Sequence, residues 1–97
     1  MKLKNRIAII TGGGKGIGAE LSLKLASEGA KIIIAEMDVP NGELTAKKIR
    51  ENNGEAIVIK TNVADEDSVN NMANEAINVF GKIDILINNA GTRHINN

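Results

Sequence analysis

Apolar residues arrive along this chain in short unbroken runs, separated by longer stretches in which they recur every three or four positions. Four segments, Ile7–Ile10, Lys31–Ala35, Ala56–Ile59 and Ile83–Ile87, are rich in β-branched residues and flanked by turn formers. Continuous rather than alternating apolar runs are the mark of strands covered on both faces. Between them, Ile17, Leu21 and Leu25 recur four apart and predict a helix that Gly29 ends. Pro40 suits the first turn of a second helix, carrying Leu44 and Ile49 and stopping near Asn53-Gly54. Asp65 is the predicted N-cap of a third, whose stripe is Val69, Met72, Ala73, Ala76 and Phe80, with Gly81 just after it. The order β-α-β-α-β-α-β predicts an α/β fold with right-handed crossovers and a parallel sheet. Ligands of such sheets bind beyond the carboxyl ends of the strands. Four segments fall there: Thr11–Gly18, Glu36–Asp38, Thr61–Asp65 and Asn88–Gly91.

Composition narrows the function classes. Ninety-seven residues, 42% of them hydrophobic and 10 of them glycine, make one globular domain rather than a disordered segment. Twelve Lys+Arg balance twelve Asp+Glu, so the basic excess expected of a nucleic-acid binder is missing. No nucleic-acid partner is expected. Without cysteine there is no disulfide framework, no thiol nucleophile and no Cys-based metal site. No secretory signal is legible, and runs such as Ile32–Ala35 fall far short of a membrane span. The expectation is a cytoplasmic protein without a membrane partner. His94, in the polar stretch Thr92–Asn97, has no second ligand spaced to form a metal site or triad, so it reads as a surface residue.

The segment Thr11-Gly12-Gly13-Gly14-Lys15-Gly16-Ile17-Gly18 sits between the first predicted strand and the first helix. Glycines belong where a backbone turns sharply and comes within contact of a pyrophosphate, beside the free N–H groups of a helix start. A P-loop fails on spacing, because Gly16 follows Lys15 where Ser or Thr should stand. Gly13 to Gly16 matches the Gly-x-x-Gly loop of RNA-binding KH modules, but the neutral charge and β-α-β rhythm do not fit one. The loop also departs from Gly-x-Gly-x-x-Gly, since Ile17 stands at its last position. It matches Thr-Gly-x-x-x-Gly-x-Gly through Thr11, Gly12, Gly16 and Gly18. With Asn62-Val63 after the third strand and Asn88-Asn89-Ala90-Gly91 after the fourth, the chain resembles the short-chain dehydrogenase/reductase family along essentially its whole length. Within it, the 3-oxoacyl-carrier-protein-reductase-like branch is the nearest in appearance.

That resemblance implies a Rossmann-type doubly wound parallel sheet in strand order 3-2-1-4, truncated here after the fourth strand. Residues 1–97 would be the N-terminal part of an NAD(P)-binding domain. The reaction implied is hydride transfer between nicotinamide and a small hydroxyl/carbonyl substrate, in a protein expected to be a homo-oligomer. Gly12, Lys15, Gly16, Ile17 and Gly18 would line the pyrophosphate and adjoining ribose. Glu36, eighteen residues after Gly18, would accept from the adenosine ribose hydroxyls and repel a 2′-phosphate. Lys15 argues for NADP, because family members preferring it often carry a basic residue there. Glu36 outweighs it, so NAD is the expected cofactor and NADP the competitor. Asn62 would accept from the adenine amino group while the Val63 backbone fixes the ring edge. Asn89, Ala90 and Gly91 would pass beneath the cofactor ribose, with Asn88 tethering neighbouring backbone and Asp84 structural.

The family's chemistry uses a tyrosine, a lysine four residues later and a serine. This sequence has no tyrosine, and Ser22, Ser27 and Ser68 fall in helical segments, away from the expected cofactor edge. No catalytic residue is assigned, and the 97 residues alone are expected to be inactive. Two readings follow: the cofactor half of an oxidoreductase, or a stand-alone nucleotide-binding module.

Overall fold

A computed structural model describes residues 2–89, in which seven elements follow the predicted order. They are β1 (Ile7–Thr11), α1 (Gly16–Ser27), β2 (Lys31–Glu36), α2 (Val39–Glu51), β3 (Ala56–Lys60), α3 (Glu66–Phe80) and β4 (Ile85–Asn88). The strands form one parallel sheet in the order β3-β2-β1-β4, the doubly wound order that the resemblance implied. Successive side chains of a strand point to opposite faces. Ala8, Ile10, Ile32 and Ile34 therefore face α1 and α2, packing with Ala46 and Ile49. Ile7, Ile9, Ile33 and Ala35 face α3, packing with Met72 and Ala76. Because both faces are covered, β1 and the middle of β2 tolerate no charged side chain, which is why they read as unbroken apolar runs.

The helix ends obey the local chemistry. Asp65 caps α3 by accepting from the N–H groups of Asp67 and Ser68, and Gly81 closes it in the left-handed region at φ 88°. β4 begins two residues later than the sequence pattern suggested, at Ile85 rather than Ile83. Asp84 occupies the gap. Its Oδ2 accepts from the Ile7 N–H at 2.8 Å, while the Asp84 N–H donates to the Ile7 carbonyl at 2.9 Å. Arg6 at 3.5 Å and Lys82 at 3.2 Å surround the same carboxylate. The Ile7 N–H first, and then the Lys82 and Arg6 charges, hold the Asp84 carboxyl below its ordinary value of 3.8. As pH falls, the unfolded chain takes up this proton before the folded one. The contribution of Asp84 is thus full above about pH 4 and is lost as pH drops through the lower folded value. Asp84→Asn should flatten that part of the acid-unfolding curve, as read by urea denaturation between about pH 5 and pH 2; an unchanged curve would remove Asp84 from the acid response.

Two helix faces differ from the expected stripes. Ile17, placed on the apolar face of α1, is 69% exposed, and Leu44, placed on that of α2, is 60% exposed. The buried residues are instead Gly18 and Ser22 in α1, and Gly42, Thr45, Ala46 and Ile49 in α2. Leu44 and Ile49 are five residues apart, which separates them by about 140° around a helix. Ile49 wins the core because Ala46 and Gly42 precede it on the same face, and α2 sits so close that a Cβ on Gly42 would lie 2.9 Å from Val58 Cγ1. Leu44→Gln should therefore change stability by no more than about 0.5 kcal/mol. Ile49→Ala should cost about 2–5 kcal/mol in the same denaturation assay. A large loss from Leu44→Gln would mean that a partner covers this face.

Candidate functional site

At the carboxyl edge of the sheet the loops after β1, β2, β3 and β4 meet around a cleft of about 440 Å³. Gly12 and Lys15 line it from the first loop, Glu36 from the tip of β2, Asn62 and Val63 from the third loop, and Asn89 from the fourth. Ala35, Met37, Thr61 and Ala64 line it as well and were not singled out by motif; their one sequence signal is their position at or just past a strand end. Gly16, Ile17 and Gly18 do not line the cleft. Gly16 and Ile17 are solvent-exposed at the start of α1, and Gly18 is buried behind the loop. Ala90, Gly91 and His94 lie outside the described residues.

The glycine loop is held by close backbone contacts. Gly12 donates its N–H to the Ala35 carbonyl at 2.8 Å, and Gly18 lies so near that a Cβ there would be 2.1 Å from the Gly12 carbonyl oxygen. Asn89 adds a long hydrogen bond from Nδ2 to that oxygen, at 3.5 Å. The loop then feeds α1, whose N-cap Lys15 makes no side-chain cap and whose first turn carries no acid. Asp38 and Asp65 cap α2 and α3. Only α1 among the described helices starts without a capping carboxylate, so the positive end of its dipole is left for an external anion.

Glu36 is fixed rather than free. Its Oε1 accepts from the Gly14 N–H at 3.0 Å and its Oε2 from the Asp38 N–H at 3.2 Å, so each oxygen keeps acceptor capacity for a further donor. Gly14 in turn is pressed on α2, since a Cβ there would meet the Gly42 nitrogen at 2.7 Å. Across the cleft, Asn62 accepts from the Ala64 N–H through Oδ1 at 3.0 Å, leaving one amide lone pair uncommitted.

Ser68 corrects an expectation. It belongs to α3 but is not remote from this edge: its Oγ accepts the Asn62 N–H at 2.9 Å and braces the third loop. The first turn of a helix folds back over the loop that precedes it, which periodicity alone does not reveal. Asn88 also differs, because its Oδ1 lies 3.1 Å from Thr11 Oγ1, a side-chain partner rather than backbone.

Lys15 reaches Asp38, with Nζ 3.7 Å from Oδ2. Asp38 accepts from the Asn41 N–H at 3.2 Å and from Asn41 Nδ2 at 2.6 Å. The Asn41 N–H, then its side chain, hold the Asp38 carboxyl below its ordinary value, with Lys15 adding to the effect. Its capping role was legible in principle, from its place immediately before Val39-Pro40. Among the described residues no cluster of three or more His, Cys, Asp or Glu could hold a metal ion. No helix among them is long and apolar enough to cross a membrane.

Known proteins resemble this chain in sequence and in fold. An uncharacterised oxidoreductase of Thermotoga maritima is 39% identical over 93 residues, covering 96% of this chain and 36% of the relative. The chain spans about a third of the length of that protein and of the next curated relatives it matches. A short-chain dehydrogenase/reductase homolog of Bacillus subtilis is 38% identical over 97 residues, covering 98% of this chain and 89% of the relative. A metagenomic short-chain oxidoreductase in complex with NADP superposes with a TM-score of 0.90 at 31% identity, over 94% of this chain and 41% of that one. A 7α-hydroxysteroid dehydrogenase complexed with NADH and 7-oxo glycochenodeoxycholic acid superposes at 0.86 and 30% identity, over 88% and 33%. The family model described as short chain dehydrogenase matches residues 6–97, from the residue before β1 through all four strands, and with it the chain belongs to the short-chain dehydrogenase family.

Proposed function

We propose that this chain binds the adenosine and pyrophosphate part of a nicotinamide dinucleotide, as the cofactor half of an oxidoreductase acting on a small hydroxyl/carbonyl substrate. One observation carries the reading: Lys15, the N-cap that leaves α1 without a side-chain cap, and the anchored Glu36 carboxylate line a single cleft at the carboxyl edge of the sheet. A dianionic pyrophosphate fits the first and a ribose diol fits the second. Because Gly18 has no Cβ, the start of α1 packs directly on the Gly12 carbonyl, just behind the glycine loop that lines the cleft. Asn62 offers its remaining amide lone pair to an adenine amino group, and the Val63 backbone borders the same ring. Asn89, Ala90 and Gly91 would pass beneath the cofactor ribose. The nicotinamide ring, when bound, would accept a hydride from a hydroxyl substrate in its oxidised form or give one to a carbonyl in its reduced form. The solved neighbours with NADH and with NADP support a dinucleotide of either kind. The likeness to 3-oxoacyl-carrier-protein reductases rests on the three motifs alone. A cytoplasmic homo-oligomer completes this reading.

NAD is favoured over NADP. Glu36 is pinned by two backbone donors and cannot swing away from a 2′-phosphate. Calorimetry on the whole chain should give tighter binding of NADH than of NADPH. Glu36→Ala combined with Met37→Arg should reverse that order by removing a fixed anion and adding a cation, a swing of about tenfold or more. Unaltered chain that already prefers NADPH would remove the role given to Glu36.

A second reading, a non-catalytic nucleotide-binding module, has its own support in the Bacillus subtilis homolog, nine-tenths of which this chain covers. Coding DNA that continues in frame past Asn97 into Tyr-x-x-x-Lys would decide for the oxidoreductase.

A further inference from the structure

The ribose end of the cleft carries three charges within one small cluster: Glu36, Asp38 and Lys15. Lys15 lines the cleft beside Glu36, and its side chain is 65% exposed, so on its own it would present a cation to any phosphate placed there. It is not on its own. Asp38 Oδ2 stands 3.7 Å from Lys15 Nζ. Asp38 is itself held in place, because it caps α2 through the Asn41 N–H and is gripped again by Asn41 Nδ2 at 2.6 Å. Its own N–H is committed to Glu36 at 3.2 Å. The backbone of Asp38 thus fixes the ribose acceptor while its side chain holds the neighbouring cation.

We infer that Asp38 is a specificity-determining positioning residue, which disfavours a 2′-phosphorylated dinucleotide by keeping the Lys15 ammonium paired. The inference rests on the dinucleotide reading of the cleft. It adds to it a reason why a lysine in the glycine loop does not recruit NADP. With Lys15 cancelled by Asp38, Glu36 is left as the uncompensated charge of the cluster, and a phosphate dianion meets net repulsion. A free Lys15 would offset Glu36 and reduce that repulsion.

Asp38→Asn tests the idea without removing the helix cap, because asparagine caps as well as aspartate. The readout is the ratio of NADPH to NADH affinity, measured by calorimetry on the full chain. A purely structural role for Asp38 would weaken both dinucleotides together and leave the ratio still. We expect the ratio to rise about fivefold, the scale of one exposed ion pair redirected to a new partner. In a Lys15→Met background the same Asp38→Asn change should move the ratio by less than about twofold, since no cation remains to release. A full effect that persists without Lys15 would mean direct repulsion by Asp38 and would overturn the inference, as would an unmoved ratio in a chain that binds NADH. A chain that binds neither dinucleotide would overturn the cleft reading, and the inference with it.

Discussion

Gly18→Val should destabilise the chain by about 3 kcal/mol and bring dinucleotide binding below detection, the largest effect expected of any single change in the glycine loop. A Cβ at this position would lie 2.1 Å from the Gly12 carbonyl oxygen and 2.9 Å from both the Gly12 carbonyl carbon and Asn89 Nδ2. The atoms it meets first are backbone, and that backbone is anchored. Gly12 is tied to Ala35 through its N–H at 2.8 Å and sits at φ 68°, so it cannot retreat without leaving its hydrogen bond to β2. The start of α1 must tilt away instead. That motion drags Lys15 and the glycine loop that line the cleft, so stability and binding fall together. Gly16 provides the contrast, with φ 51° but open space around it. Gly16→Asn adopts the left-handed region at little expense and should change stability by about 1 kcal/mol or less. Urea denaturation and NADH calorimetry on both variants separate crowding from backbone conformation. A Gly18→Ala chain of native stability would show that α1 can slide, and would undo this account of the loop.

The same contrast explains what could be read from the sequence. The strands were legible as unbroken apolar runs, which coverage on both faces accounts for in β1 and β2, while β3 and β4 carry runs as apolar on less buried positions. The helix faces were misread for a related reason. Where α1 and α2 press closest on the sheet, the contact residues are Gly18, Ser22, Gly42, Thr45 and Ala46, which a search for large aliphatics passes over. Ser22 resolves its own polarity by donating to the Gly18 carbonyl at 2.8 Å. Of the site, the residues named by motif do converge where the motifs sit at strand ends. The bond between Gly14 and Glu36 joins positions 22 apart through a loop and a strand tip, and no local pattern encodes it. Asp38 does carry a local signal, since its place ahead of Val39-Pro40 marks a cap.

The last expectation concerns the outer side of β4. This strand pairs with β1 and, among the described residues, with nothing on its other side. Leu86 is in register with Ile9, so both side chains point to the face on which α3 packs. Ile9 is 2% exposed there, whereas Leu86 is 63% exposed, because α3 lies over the other strands and does not extend to β4. On the opposite face Ile85 and Ile87 are only half-buried. The strand Ile85–Asn88 bears no charge, no proline and no bulge to discourage another strand from pairing with it. Covering Leu86 alone would contribute up to about 2 kcal/mol, and a new ladder of hydrogen bonds would add to it. The 97-residue chain should therefore self-associate at micromolar concentrations, seen as a rise in sedimentation-average mass with loading concentration. Leu86→Lys should suppress the association by placing a solvated charge on the edge. Because this side chain is already mostly in water, the substitution should alter unfolding stability by no more than about 0.5 kcal/mol. A chain that sediments as one concentration-independent monomer would mean that something covers this edge, and Leu86→Lys would then lower stability rather than mass.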